Sequence, residues 1–149
     1  MNQFFSLQKK KLFYMSLIIS FLSIITSLVG LFSSSDMGTI LFTSIRGDVI
    51  ETYGIGIYFR DSVSVAAQGL ASDFITLILA VPLLITSSIY ALKNSRRSTY
   101  IWLGTLGYFL YTYMSYTFLW MYNPLFIIYV ILMSLSLFSF IMLMMSFKL

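Results

Sequence analysis

FITLILAVPLLITSSIYALKNSRR, residues 74–97, decides the fold. Its first nineteen residues carry no charge, and the five that follow carry three positive ones. A hydrocarbon core about 30 Å thick needs roughly 20 apolar residues of helix to cross it. Backbone amides find no water there, so a run of this length must be helical. The basic residues behind it mark the end held at the cytoplasmic face by the positive-inside rule.

Outward from this stretch, residues 12–32, 100–121 and 125–145 form further uncharged runs of spanning length, beside 74–92. The runs are continuous rather than alternating with period two, which argues against a transmembrane β-barrel. The expected fold class is an all-α membrane protein: an antiparallel four-helix transmembrane bundle, a single domain over 1–149. Lys9, Lys10, Lys11, Lys93, Arg96, Arg97 and Lys148 fall on one side of these spans. Arg46, Arg60 and all the acidic residues (Asp36, Asp48, Glu51, Asp61, Asp73) fall on the other. That asymmetry predicts a multi-pass protein of the plasma membrane with both termini cytoplasmic and an extracytoplasmic loop at 33–73. A basic start before an apolar run also describes a signal peptide. The first run exceeds an h-region of roughly 7–15 residues, so a retained span is expected, with Ser33-Ser34-Ser35 as the alternative cleavage site.

Composition agrees. Hydrophobic residues make up 59% of the 149 and charged residues 9%, against about 25% charged in soluble domains. The chain has no Cys and no His, which removes disulfides, thiolate chemistry and His/Cys metal sites. No metal site and no cofactor is expected. The net charge of +4 sits beside apolar runs, so it fits the lipid bilayer as partner and not nucleic acid.

The helix faces can be read at about 100° per residue. Ser16, Ser20, Ser23, Ser27 and Gly30 form one narrow stripe on the first span, as small residues do at close helix contacts. Asp73, Thr76, Ala80, Ser87 and Ala91 form a stripe on the second, with Pro82 opposite as a kink site. Tyr129, Leu132, Ser136 and Ser139 share a side of the fourth. On the third, Gly104, Thr105, Gly107, Tyr108, Tyr111, Thr112, Ser115, Tyr116 and Tyr122 take half the circumference. Tyr116, Trp120 and Tyr122 fit interfacial anchors. Tyr108 and Tyr111 lie deeper, where an unpaired phenol costs about 1–3 kcal/mol, and are candidate binding residues. Residues 93–99 make a short basic connection. Tyr122-Asn123-Pro124 makes a tight turn that places Pro in the first turn of the fourth helix.

The long loop is too apolar for disorder and is expected to be ordered. Residues 39–45 and 49–59 are β-prone around Arg46-Gly47-Asp48, which predicts a hairpin. Tyr53-Gly54-Ile55-Gly56-Ile57 lacks the third glycine and the strand–turn–helix setting of a nucleotide fingerprint. Arg60-Asp61-Ser62 reads as a helix start capped by Asp61 or Ser62. A short helix over 62–70 would end near Gly69, and Ser72 or Asp73 would cap the second span. Gathered carboxyls and guanidiniums at one membrane surface also allow a site. The catalytic candidates are Asp61, Asp73, Glu51 and Arg60, and Arg46 and Asp48 join Tyr108 and Tyr111 as binding candidates.

The segment with Gly56, Tyr58, Asp61, Ser62, Asp73 and Pro82-Leu83-Leu84, followed by a Tyr-rich third span and Tyr122-Asn123, resembles a family of small prokaryotic four-span integral membrane proteins without an assigned role. The resemblance implies topology and no activity. Three functions remain open: association with itself, as a homo-oligomer, or with a membrane complex; an enzyme or binding site for a lipid or lipid-linked substrate at the extracytoplasmic surface; a small transporter or channel subunit. Whether the chain is an enzyme stays undecided. No ionisable residue lies mid-span, where coupling charges usually appear.

Overall fold

The computed structural model describes residues 2–33 and 39–147, with side chains from residue 8 onward. Asp36, the serines at 34 and 35, and Lys148 lie outside the described residues. The elements in order are α1 (Asn2–Phe32), β1 (Ile40–Thr43), β2 (Val49–Thr52), a 3₁₀ turn (Gly56–Tyr58), α2 (Val63–Ile75), a π-helical turn (Thr76–Ala80), α3 (Val81–Leu92), α4 (Arg96–Phe118) and α5 (Phe126–Met145). The protein is mostly helical. Three rods are long and apolar enough to cross a membrane: Gln8–Phe32 of α1, the continuous rod Val63–Leu92 made by α2, the π turn and α3, and α5. These make it a membrane protein by length and composition. The 23 residues of α4 have the length, but tyrosines, hydroxyls and two arginines leave it less apolar.

The rod Val63–Leu92 corrects the expected break between a helix over 62–70 and a span from 74. Gly69 does not end a helix; it lies inside α2, where Trp120 occupies the space a Cβ would need. Asp73 is therefore not a cap but an interior residue of the rod. Ser62 does sit at the N-cap position, yet its hydroxyl makes no capping bond and lies 3.2 Å from Ser64 Oγ. Asp61 does not cap either. The π turn lies just before Pro82, which brings no N–H to the ladder. The Val81 N–H bonds the Thr76 carbonyl, the i→i+5 spacing of a π bulge, a feature frequent at functional sites.

α1 packs on α3 and α5, and α4 packs on the same two helices. The serine stripe of α1 is buried throughout: Ser16, Ser20, Ser23 and Ser27 are all within 2% exposure. Ser16 accepts the Trp102 indole N–H at 2.9 Å. The stripes of the rod and of α5 are buried as expected, while Ile127, Ile131, Phe138, Ile141 and Met145 of α5 face outward.

α4 buries only part of its hydroxyl-rich half, Thr105, Thr112 and Tyr116. Its buried side is Trp102, Thr105, Leu106, Phe109, Thr112, Tyr113 and Tyr116. Tyr111 is 68% exposed, and Gly104 is exposed too. Large rings fill the interior better than a glycine–hydroxyl face, and outward hydroxyls satisfy themselves on their own helix. Ser115 Oγ donates to the Tyr111 carbonyl at 3.0 Å. α4 also ends at Phe118 and α5 starts at Phe126, so Pro124 precedes the helix instead of sitting in its first turn. Asn123 Oδ1 caps the turn by accepting the Leu125 N–H at 2.9 Å.

The expected hairpin is present. β1 and β2 pair antiparallel, with Ile40 opposite Thr52 and Thr43 opposite Val49. Gly54 and Gly56 carry φ of 77° and 70°, a left-handed backbone that suits glycine. They bend the chain from β2 into the 3₁₀ turn.

Candidate functional site

The one carboxyl inside an apolar rod, Asp73, organises the loop end of the molecule. It is 2% exposed. Its Oδ2 accepts the Tyr58 hydroxyl at 2.6 Å, and its Oδ1 accepts the Tyr116 hydroxyl at 3.3 Å. The Tyr116 hydroxyl also reaches the Gly69 carbonyl at 3.2 Å, one turn up the same rod. Ser27 of α1 lies beside the carboxyl as well. Four segments thus meet at one side chain: α1, the 3₁₀ turn, α2 and α4.

Two glycines make room. A Cβ on Gly30 would overlap the Asp73 carboxyl, and one on Gly69 would overlap the Trp120 ring. Gly30 ends the serine stripe of α1, which therefore serves the approach of Asp73 as well as helix packing. Trp120 stacks its edge on Tyr58 at 5.1 Å and lies 4.1 Å from Tyr116, centroid to centroid. Such contacts add to area burial by roughly 0.5–1.5 kcal/mol each. Burial is the main cause that holds the Tyr58 phenol above the ordinary tyrosine range, so it remains a donor.

Asp61 fastens the same region from the other side. The loop folds on itself through Tyr53 N–H to the Asp61 carbonyl and Asp61 N–H to the Tyr58 carbonyl, both 2.9 Å. The Asp61 side chain is 4% exposed. Its Oδ1 accepts the Met121 N–H at 3.0 Å, which ties the loop to the connection between α4 and α5. Its Oδ2 has no partner among the described residues. Burial raises the Asp61 pKa above the usual aspartate range, and the bond from Met121 opposes that rise.

The other expected site residues do not converge here. Glu51, Arg46 and Asp48 are exposed on the hairpin. Arg60 is exposed with its guanidinium 4.9 Å over the Phe59 ring. Tyr108 is half-buried and pairs with Thr76 at 3.0 Å, across the π turn. Tyr111 faces away. Of the four catalytic candidates, only Asp61 and Asp73 are buried beside the loop. Among the described residues no group of three His, Cys, Asp or Glu could hold a metal ion.

The partners missed from sequence are Tyr58, Tyr116, Gly30 and Trp120. Two signals were present. A carboxyl in an otherwise apolar rod must find donors, and a glycine at the end of a buried serine stripe marks a close approach. Chemically the arrangement is a clasp. Two phenols donate into a carboxyl that is closed to solvent, so it fixes segments rather than offering a base to a substrate. No family model, curated protein or solved structure matches the chain.

Proposed function

We propose that the protein is a multi-pass plasma-membrane protein that acts by association, with itself or with a larger membrane complex, through the hairpin at residues 40–52. In this reading four helices cross antiparallel, α4 included, with both termini cytoplasmic and the hairpin outside. Contacts at the ends support the alternation: Lys9 of α1 reaches the Ala91 carbonyl at the end of α3, and Tyr116, near the end of α4, reaches Asp73. The charge asymmetry of the sequence supports the orientation. Kinship with the small four-span family that the loop motif resembles belongs to the same proposal.

One observation carries the function. The hairpin stands clear of the helices with apolar side chains on both faces. Ile40, Phe42 and Ile50 are 57%, 59% and 44% exposed on one face, Leu41 and Val49 66% and 62% on the other. Ile45 at the tip is fully exposed. A lone two-stranded hairpin is marginal in water, and an exposed apolar edge invites pairing. A docked partner removes both costs. The clasp at Asp73 holds the loop that presents it.

The test is particle mass. The full chain is extracted in mild detergent and its mass measured, alone and with Phe42→Asp plus Ile50→Asp. The expected result is an oligomer or a complex that the double variant reduces to a monomer. A wild-type particle that is monomeric and brings down no other protein overturns the proposal. A second reading, a site for a lipid-linked substrate, rests on the unpartnered Asp61 Oδ2. It predicts that Asp61→Asn alters the lipid profile of cells while leaving particle mass unchanged.

A further inference from the structure

The end of the molecule away from the hairpin has a cleft of about 360 Å³ lined by Lys9, Arg96, Thr99, Tyr100, Ser146 and Phe147. It is framed by α1, the first turn of α4 and the residues just after α5. Every carboxyl among the described residues (Asp48, Glu51, Asp61, Asp73) belongs to the loop or to the loop-side half of the rod, so none of them faces these cations. Among the described residues, Lys9 Nζ donates to neutral oxygens, the Ala91 carbonyl at 3.5 Å and Asn94 Oδ1 at 3.4 Å. Both are long for a charge-assisted bond, which runs about 2.7–2.9 Å. An ammonium has three donors and a guanidinium five, and two neutral acceptors do not exhaust them.

The floor and the rim differ. The Thr99 hydroxyl is spent on the Ser95 carbonyl at 2.9 Å and the Ser146 hydroxyl on Leu143 at 2.6 Å, so their oxygens keep lone pairs but lend no free proton. Among the described residues, the two cations are the charged donors of the cleft, beside the Tyr100 hydroxyl. At the rim, Tyr100 stacks on Phe147 at 4.9 Å and 19°. Below them Met144 and Met145 are exposed on the flank of the apolar α5 rod. A cationic cleft therefore sits at the end of the spanning segment that begins at Gln8, with an aromatic lip and an apolar wall running away from it.

The geometry points to a phosphate-binding site in this cleft, with Lys9 and Arg96 as the binding residues and an anionic phospholipid headgroup as the source of the phosphate. The phosphate oxygens accept from the ammonium and the guanidinium. The acyl chains lie along α5 past the aromatic pair. Such a lipid would bridge α1, α4 and α5 at one membrane boundary. The inference does not depend on the hairpin, nor on which leaflet this end meets.

The test uses the full chain in mild detergent, exposed in turn to phosphatidylglycerol and phosphatidylcholine, with retained lipid counted by native mass spectrometry. Phosphatidylglycerol is expected to be retained about tenfold more than phosphatidylcholine, and Lys9→Gln plus Arg96→Gln should remove that preference. Lys10→Gln plus Arg97→Gln removes the same charge outside the cleft and should leave retention within about twofold. Lys9→Arg should keep the lipid, which separates loss of charge from loss of fold. A third arm adds millimolar glycerol phosphate. Displacement assigns the phosphate to a soluble source and persistence assigns it to lipid, and each supports a phosphate site. Equal loss in the two double variants, or no loss in the first, overturns it.

Discussion

The segment between α1 and α2 has two halves that behave oppositely. Residues 53–62 turn inward: Tyr58 is fully buried, its hydroxyl is spent on Asp73, and Asp61 is tied to the α4–α5 connection. Residues 40–52 turn outward, with apolar side chains on both faces of a two-stranded ribbon. The difference lies in what each half meets. The inner half finds donors and acceptors fixed by helices, whereas the outer half, among the described residues, pairs its two strands with each other and reaches the inner half through the Thr52–Ser62 bridge. A segment satisfied by its own chain is structural, and the exposed one is where the proposed association is tested.

The sharpest break of this contrast is Asp73→Ala. It strips the Tyr58 hydroxyl of its acceptor and takes one of two acceptors from Tyr116, which keeps the Gly69 carbonyl, and thermal melting in detergent should fall by an amount equal to about 3 kcal/mol. Gly30→Ala attacks the same clasp from α1 by pushing into the carboxyl, with an expected loss of about 1–3 kcal/mol from overpacking. Gly47→Ala in the hairpin turn should stay nearer 1 kcal/mol. That position has φ of 87° but open space around it, so only the backbone preference is lost.

A pH series probes the inner half from Asp61. Its folded pKa is raised by burial, so the folded protein holds a proton that the unfolded chain releases near an ordinary value of about 3.9. This contribution is present below that value and is lost as pH rises through the folded pKa. Melting points should therefore drift down across that window, and Asp61→Asn should flatten the drift. The smallest effect is expected outside. Phe42→Asp plus Ile50→Asp should move the stability of the isolated particle by no more than about 0.5 kcal/mol per site, while changing its mass. If that pair instead destabilises the particle as strongly as Asp73→Ala, the two halves are one structural unit and the contrast fails.

Much of the architecture was legible. The uncharged runs marked α1, α5 and the part of the long rod from residue 74, and the stripes of Ser16 to Gly30 and of Tyr129 to Ser139 pointed to the faces that are buried. The face of α4 was not. Aromatic, small and hydroxyl residues are spread around the whole of α4, so hydrophobic periodicity carries little phase. Tyrosine compounds this, because it serves inside or at the surface with equal chemistry: Tyr113 is buried and Tyr111 is not. The clasp was hidden for another reason. Asp73 was visible as a singular residue, but Gly30, Tyr58 and Tyr116 come from three other segments, and only the fold brings them within bonding distance. A capping role suited the local sequence equally well, since Asp favours helix starts.

The wide turn at Thr76–Ala80 has a consequence for how the long rod works. An extra residue taken up in a π bulge slews everything beyond it by about 100° against a regular helix. The section above the bulge meets α1, the loop and the end of α4, and the section below meets α1 and the rest of α4. Excising one residue from the turn would leave a regular spiral whose two sections keep their separate bearings, whereas inserting one elsewhere in the cylinder would wrench them apart.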